Sequence, residues 1–122
     1  MDAAWLFLMA ERLYRPAIGA LMRDDFDKLA AGVFYACYVT GMVFFAVRPA
    51  HRVRDAAGRG ALFGLVAYAT YDLTNQATLR GWPWGVTLAD LAWGTCASAV
   101  ACAIGWRVAA RSVSRVAGAV KS

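Results

Sequence analysis

The hydrophobic positions of the chain fall into four runs parted by short charged stretches. The run 29–47 contains no charged residue, and the runs 60–79 and 86–106 contain one each, Asp72 and Asp90. Each of these three is close to the roughly 20 apolar residues that a helix needs to cross a bilayer core. An amphipathic helix of a soluble protein would show a polar face recurring every turn, and these runs do not. The first run, 1–22, is shorter in its purely apolar part, residues 3–10. Eight residues rise only about 12 Å as a helix, against a hydrocarbon core of about 30 Å. The pattern therefore predicts an all-α integral membrane helical bundle with three full transmembrane helices and a partial N-terminal one. Residues 1–122 form one transmembrane domain, with helices at about 1–22, 29–47, 60–79 and 86–106 and a basic tail at 107–122.

Composition moves the picture further toward lipid. The chain is 61% hydrophobic with a mean hydropathy of +0.47, whereas ordinary soluble chains are about 45–50% apolar. At 122 residues a soluble fold has too much surface per volume to hide that excess, so the lipid bilayer is the expected partner. The formal charge is +5. Its basic residues stand at the ends of apolar runs and form no stripe with interleaved aromatics, which argues against nucleic acid and for membrane orientation. Arg48, Arg52, Arg54 and Arg59 face one acid, Asp55, in one connection, and Arg107, Arg111, Arg115 and Lys121 lie in the tail. The positive-inside rule puts both on the cytoplasmic side, and two spans between them meet that requirement. The connections 22–28 and 80–85 then face outward, with Trp82 and Trp84 in an interfacial aromatic belt. The tail either lies on anionic lipid as a basic amphipathic helix or stands in solvent. Cys37, Cys96 and Cys102 lie in apolar runs without a CxxC pair and read as packing residues.

Candidate chemistry gathers in the last two runs. By helical rise Asp72 lies roughly 12 Å below the outer boundary and Asp90 roughly 9 Å below it, a matched depth on neighbouring helices. A charged group facing lipid costs on the order of 2.5–3.5 kcal/mol on insertion scales, so both should face protein. Tyr68, Tyr71, Asp72 and Asn75 share a helical face, as do Thr87, Asp90, Gly94 and Ala97, and Asp2 can approach the same level. One reading is a ligand-binding polar pocket of Asp72, Asn75, Asp90, Tyr68, Tyr71 and Thr87. The other is interhelical glue, since polar pairs across membrane helices contribute about 0.6 kcal/mol on average. Gly60 and Gly64 form a GxxxG that Gly94, Ser98 and Cys102 match in spacing, a pattern for close helix packing. Tyr35 and Tyr38 read as packing or belt residues. His51, the only histidine, lies in the basic connection away from the acids. That placement argues against a histidine triad or zinc site. No catalytic residue, metal or cofactor is assigned; no phosphate loop or dinucleotide fingerprint is present. Tyr71–Asp72 with a second aspartate in 87–90 shares part of the intramembrane aspartyl protease pattern, but that second segment lacks the glycines of that family.

Taken as a string, the chain resembles the small bacterial membrane proteins grouped as domain of unknown function 2177. The resemblance is carried by Asp2-x-x-Trp5-Leu6, Tyr14-Arg15, 34-FYACY-38, 45-FAVRPA-50 and, most densely, 63-FGLVAYATYDLTNQATLRGWPWGVTLADLAWGT-95. It implies a four-helix, multi-pass protein of the bacterial inner membrane, here with a cytoplasmic C-terminus, and implies no activity. Relatives carry most of a hydrophobic helix before the Asp-x-x-Trp-Leu pattern, so a further 15–20 apolar residues (roughly what completes a span) are expected upstream of Met1. Three functions fit the residues: a module that binds or transports a small polar or amphipathic ligand, a structural or assembly protein, and a lipid-modifying membrane enzyme. A transport pathway through so small a chain calls for a homo-oligomer.

Overall fold

The computed structural model describes residues 5, 8–21 and 27–120. Asp2 and the acidic stretch of the first connection lie outside the described residues. All regular structure among the described residues is helical. The first segment is irregular: a π-helical turn (Ala10–Tyr14) leads into α1 (Arg15–Ile18) and a 3-10 turn (Gly19–Leu21). Pro16 occupies the start of α1, where its missing N–H is harmless. Asp27 caps the next helix by accepting the Ala30 N–H at 2.9 Å, which satisfies one of the free donors of a helix start. That helix, α2 (Lys28–Met42), runs on through a π-helical turn (Val43–Val47).

After a short connection, α3 (Val53–Thr78) and α4 (Trp84–Val120) form an antiparallel pair that packs along most of α3. The turn between them uses Gly81 at φ +77°, a left-handed conformation that suits glycine. Both helices outrun the apolar segments that announce them. Arg54, Asp55 and Arg59 lie inside α3, because this stretch holds no proline and arginine is a good helix former. Residues 107–120 of the tail are likewise helical, continuous with α4.

Close approach of α3 to α4 comes from small residues. A Cβ on Gly60 would stand 2.6 Å from the Ser98 carbonyl oxygen and 2.7 Å from Cys102 Cβ. A Cβ on Gly64 would overlap the Gly94 carbonyl oxygen, and one on Gly94 would overlap the Tyr68 ring. Glycine here removes the side chains that would hold the backbones apart. At the far end from the 79–83 turn, Ala46, Ala56 and Cys102 form a cluster with Met42, Val47, Ala50 and Trp106. The Trp106 indole N–H donates to the Ala50 carbonyl at 3.0 Å there. At the turn end, Tyr14, Trp82 and Val86 pack with Trp5, Met9, Leu13, Ala17 and Ile18, and Trp5 stacks on Trp93 with ring centroids 4.5 Å apart.

Among the described residues two helices are long and apolar enough to cross a membrane, Lys28–Val47 and Trp84–Arg115. Only 6% and 22% of their apolar windows are buried within the protein, whereas the core helix of a soluble protein would be mostly covered. Leu29, Phe44, Phe45, Leu62, Leu88 and Ile104 all point outward. The polar residues of α3 divide accordingly. Thr70, Thr74 and Thr78 are exposed, and each hydroxyl donates to a carbonyl one turn back, Val66, Thr70 and Thr74. This back-bonding satisfies a threonine on its own helix, so the stripe can face lipid without a partner.

Candidate polar site between the long helices

The inward row of α3 advances by four residues: Gly60, Gly64, Tyr68, Asp72 and Gln76. Opposite it on α4 lie Thr87, Asp90, Gly94, Ser98 and Cys102, all buried. Where the rows are glycine the helices touch; toward the 79–83 turn the facing residues are Asp72, Gln76, Thr87 and Asp90, whose side chains bear oxygen.

Asp72 is fully buried and Asp90 is 5% exposed. The two carboxylates act on one another electrostatically. Asp90 Oδ1 accepts the Tyr14 hydroxyl, and the Tyr14 oxygen in turn accepts the Trp5 indole N–H at 3.1 Å. Asp72 differs: both its oxygens are buried and meet no hydrogen-bond donor among the described residues. Buried polar groups are almost always partnered, and a lone one costs about 1–3 kcal/mol in desolvation alone.

Between the acids and the turn, three residues close a ring of hydrogen bonds. The Trp82 indole N–H donates to Thr87 Oγ1 at 3.1 Å, Thr87 donates to Gln76 Oε1 at 3.2 Å, and the Gln76 amide donates to the Trp82 carbonyl at 3.1 Å. On the other side of the acids, Tyr68 lies over Gly94 with its ring edge toward Tyr38, centroids 6.5 Å apart. The Tyr38 hydroxyl shares a 2.7 Å hydrogen bond with Ser98 Oγ. A cleft of about 380 Å³ at the turn end is lined by residues 15–20 and 79–82 and includes Arg15, Arg80 and Trp82.

Of the residues expected from sequence, Asp72, Asp90 and Thr87 come together in this buried seam, with Tyr68 half-buried one turn away. Asn75 is half-buried, and its carbonyl accepts the Leu79 N–H that ends α3. Tyr71 is 58% exposed and meets Trp82 edge-on, centroids 5.9 Å apart, outside the seam. Sequence reasoning missed Tyr14, Trp5, Gln76 and the Trp82 indole as members. Gln76 was legible in the four-residue row that contains Gly60, Gly64 and Asp72. Tyr14 was not, because a π-helical turn sets its direction and 76 residues separate it from Asp90. A π-helical turn inserts an extra residue in the helix and recurs at functional sites. Among the described residues no group of three or more histidine, cysteine, aspartate or glutamate side chains gathers.

The family described as "Predicted membrane protein (DUF2177)" matches residues 1–107, and the chain belongs to that family. No curated protein and no solved structure matches it.

Proposed function

We propose that this member of a family of predicted membrane proteins binds a small, positively charged ligand at Asp72 and Asp90, within a multi-pass helical bundle. The observation that carries the reading is the Asp72 carboxylate, fully buried, with both oxygens free of hydrogen bonds among the described residues. Interhelical glue has to bond something, and among the described residues Asp72 bonds nothing. Asp90, held by Tyr14, fits both roles: it presents one carboxylate to the site and ties the N-terminal segment to α4. An intramembrane acid that faces other helices is by default a ligand, ion or proton site. Two acids facing one another attract a cation and repel an anion, which narrows the small polar or amphipathic ligands expected from sequence.

The proposal includes an orientation. With α3, 26 residues long and so roughly 39 Å, counted as a span beside α2 and α4, the protein has three full spans. The arginine-bearing 48–59 connection and the C-terminal helix then lie in the cytoplasm of a bacterium whose inner membrane holds the protein. Thr87 and Gln76 line the outward approach, and Tyr68 and Asn75 border it. Transport rather than binding requires a pathway that one copy does not supply, so a transporter would be a homo-oligomer.

The test is thermal unfolding of the purified protein in detergent with sodium, potassium or methylammonium chloride replacing choline chloride at constant ionic strength. A ligand that binds the folded state alone raises its stability by mass action. At least one of the three cations should raise the melting temperature of the native sequence and leave Asp72→Asn unmoved. Equal shifts in both proteins, or none in either, would end the proposal.

A further inference from the structure

We infer that the cleft beside the 79–83 turn holds the headgroup phosphate of an anionic lipid, with Arg80 and Arg15 as the groups that bind it. The site shares no acid with the cation reading above and stands or falls separately from it.

Its place in the fold comes first. The cleft has a volume of about 380 Å³, within the roughly 300–1,000 Å³ of small-ligand pockets. Its two walls are the end of the N-terminal segment, residues 15–20, and the start of the turn that joins α3 to α4, residues 79–82. The apolar helix Trp84–Arg115 begins just beyond Trp82. The cleft therefore stands where that helix leaves hydrocarbon for the headgroup layer, whichever side of the membrane the turn faces. Trp84, 60% exposed at the start of α4, has the position of an interfacial indole.

Charge selects the ligand. Arg15 and Arg80 line the cleft, and among the described residues no acid does. Arg80 is exposed and forms no ion pair among the described residues. Arg15 gives its Nε–H to Glu11 at 2.9 Å. A guanidinium carries five N–H donors in a planar fork, so the rest of that fork remains to bind a second anion. Glu11 offsets one of the two positive charges, which leaves an excess of one. The fork fits the paired oxygens of a phosphate, and a phosphodiester brings the single negative charge that balances the excess.

The apolar part of the lining favours a lipid over a free ion. Pro16, Ile18, Leu79 and Trp82 stand beside the arginines. The Trp82 indole N–H is spent on Thr87, so its ring counts as apolar surface. A free hydrated phosphate gains nothing from such walls, whereas the glycerol and first acyl carbons of a lipid bury apolar area against them. Basic pockets beside transmembrane helices take anionic headgroups in this way.

The test is native mass spectrometry of the full chain, released from uncharged detergent micelles and titrated with phosphatidylglycerol. One saturable bound lipid is expected. Its half-saturation should rise roughly tenfold or more in Arg80→Gln, equivalent to about 1.4 kcal/mol of binding, and by less in Arg15→Gln, where Glu11 already takes part of the fork. Ala20→Trp keeps both charges and fills the cleft, and should weaken binding as strongly as Arg80→Gln. Arg111→Gln removes the same charge near the opposite end of α4 and should leave the half-saturation unmoved. Phosphatidylcholine, which has no net charge, should bind about tenfold more weakly or worse. Circular dichroism checks that each variant is folded; Arg80→Gln and Ala20→Trp act through different atoms, so either one decides if the other fails to fold. Equal weakening by Arg111→Gln and Arg80→Gln would assign the lipid to general charge and overturn the site. Native-like binding by Ala20→Trp would put the lipid outside the cleft. Equal half-saturation by phosphatidylcholine would overturn the charge argument. Displacement of the lipid by sodium phosphate at a concentration comparable to the lipid's own would overturn the choice of a lipid. No saturable lipid binding would end the inference.

Discussion

Replacing Gly60 by alanine adds one methyl group where α3 lies on α4. That carbon would stand 2.6 Å from the Ser98 carbonyl oxygen, 2.7 Å from Cys102 Cβ and 2.8 Å from its sulfur. Ordinary contact begins at 3.4 Å, so raising 2.6 Å to 3.4 Å parts the helices locally by about 0.8 Å, an overpacking strain of the order of 1–3 kcal/mol. The carbonyl belongs to the backbone and cannot rotate away, which places the strain in the upper part of that range. Alanine also favours the helix by about 0.8–1.0 kcal/mol over glycine. The net expectation is a loss of about 1–2 kcal/mol, the strain less the helix gain. Gly58, two residues earlier on the same helix, has nothing within 4 Å of its would-be Cβ. Gly58→Ala should therefore stabilise, by up to about 1 kcal/mol. Unfolding both variants by titrating dodecyl sulfate into mixed micelles, followed by helical circular dichroism, gives the two differences on one scale. Equal stabilities for Gly60→Ala and Gly58→Ala would refute the close packing of α3 on α4.

Other outcomes follow from the same geometry. Tyr14→Phe removes the hydroxyl that Asp90 accepts and leaves Trp5 without its acceptor; a loss of about 1.5–3 kcal/mol, the range for a hydrogen bond to a charged group, is expected in the micelle titration, and an unchanged midpoint would remove the latch. Reporter fusions should read cytoplasmic near Arg54 and after Lys121, and external near Asp25 and Pro83, from the arginine distribution; an external reading at Arg54 would invert the orientation. Trp82→Phe deletes the indole donor to Thr87 and should cost about 0.5–1.5 kcal/mol, the net worth of a neutral hydrogen bond, in the same titration, while Trp84→Phe, at an exposed position, should cost less.

Much of the fold was legible because hydrophobic run length is a strong signal in a bilayer. The uncharged stretch 29–47 and the helix Lys28–Val47 nearly coincide. Helix ends were less legible, since charge marks where a helix leaves lipid and not where its hydrogen bonding stops; Arg54 and Arg107 both lie inside helices. Burial of the two aspartates followed from the price of exposing charge to lipid. Which neighbours join them did not follow from a single helical face. The template i, i+3, i+4, i+7 placed Tyr71 beside Asp72, whereas two closely packed helices present the narrower four-residue row that selects Tyr68 and Gln76. Threonines 70, 74 and 78 count as polar in any tally, yet their hydroxyls are spent on their own helix. Tyr14 depends on a local π-helical turn and on a docking contact between distant segments, and no sequence period encodes either.

Asp72 is central because, among the described residues, its buried carboxylate oxygens meet no hydrogen-bond partner. A group that only fastens helices contributes stability; a group kept for a ligand lowers the stability of the empty protein. Unfolding Asp72→Asn and Asp72→Leu without added small cations separates the two. If the seam is a cation site, neither variant is less stable than the native sequence under these conditions, and leucine gains up to about 1–3 kcal/mol by removing an unsatisfied buried group. A loss of 1 kcal/mol or more in both variants, about what a broken hydrogen bond costs, would show that Asp72 holds the helices together and would contradict the account.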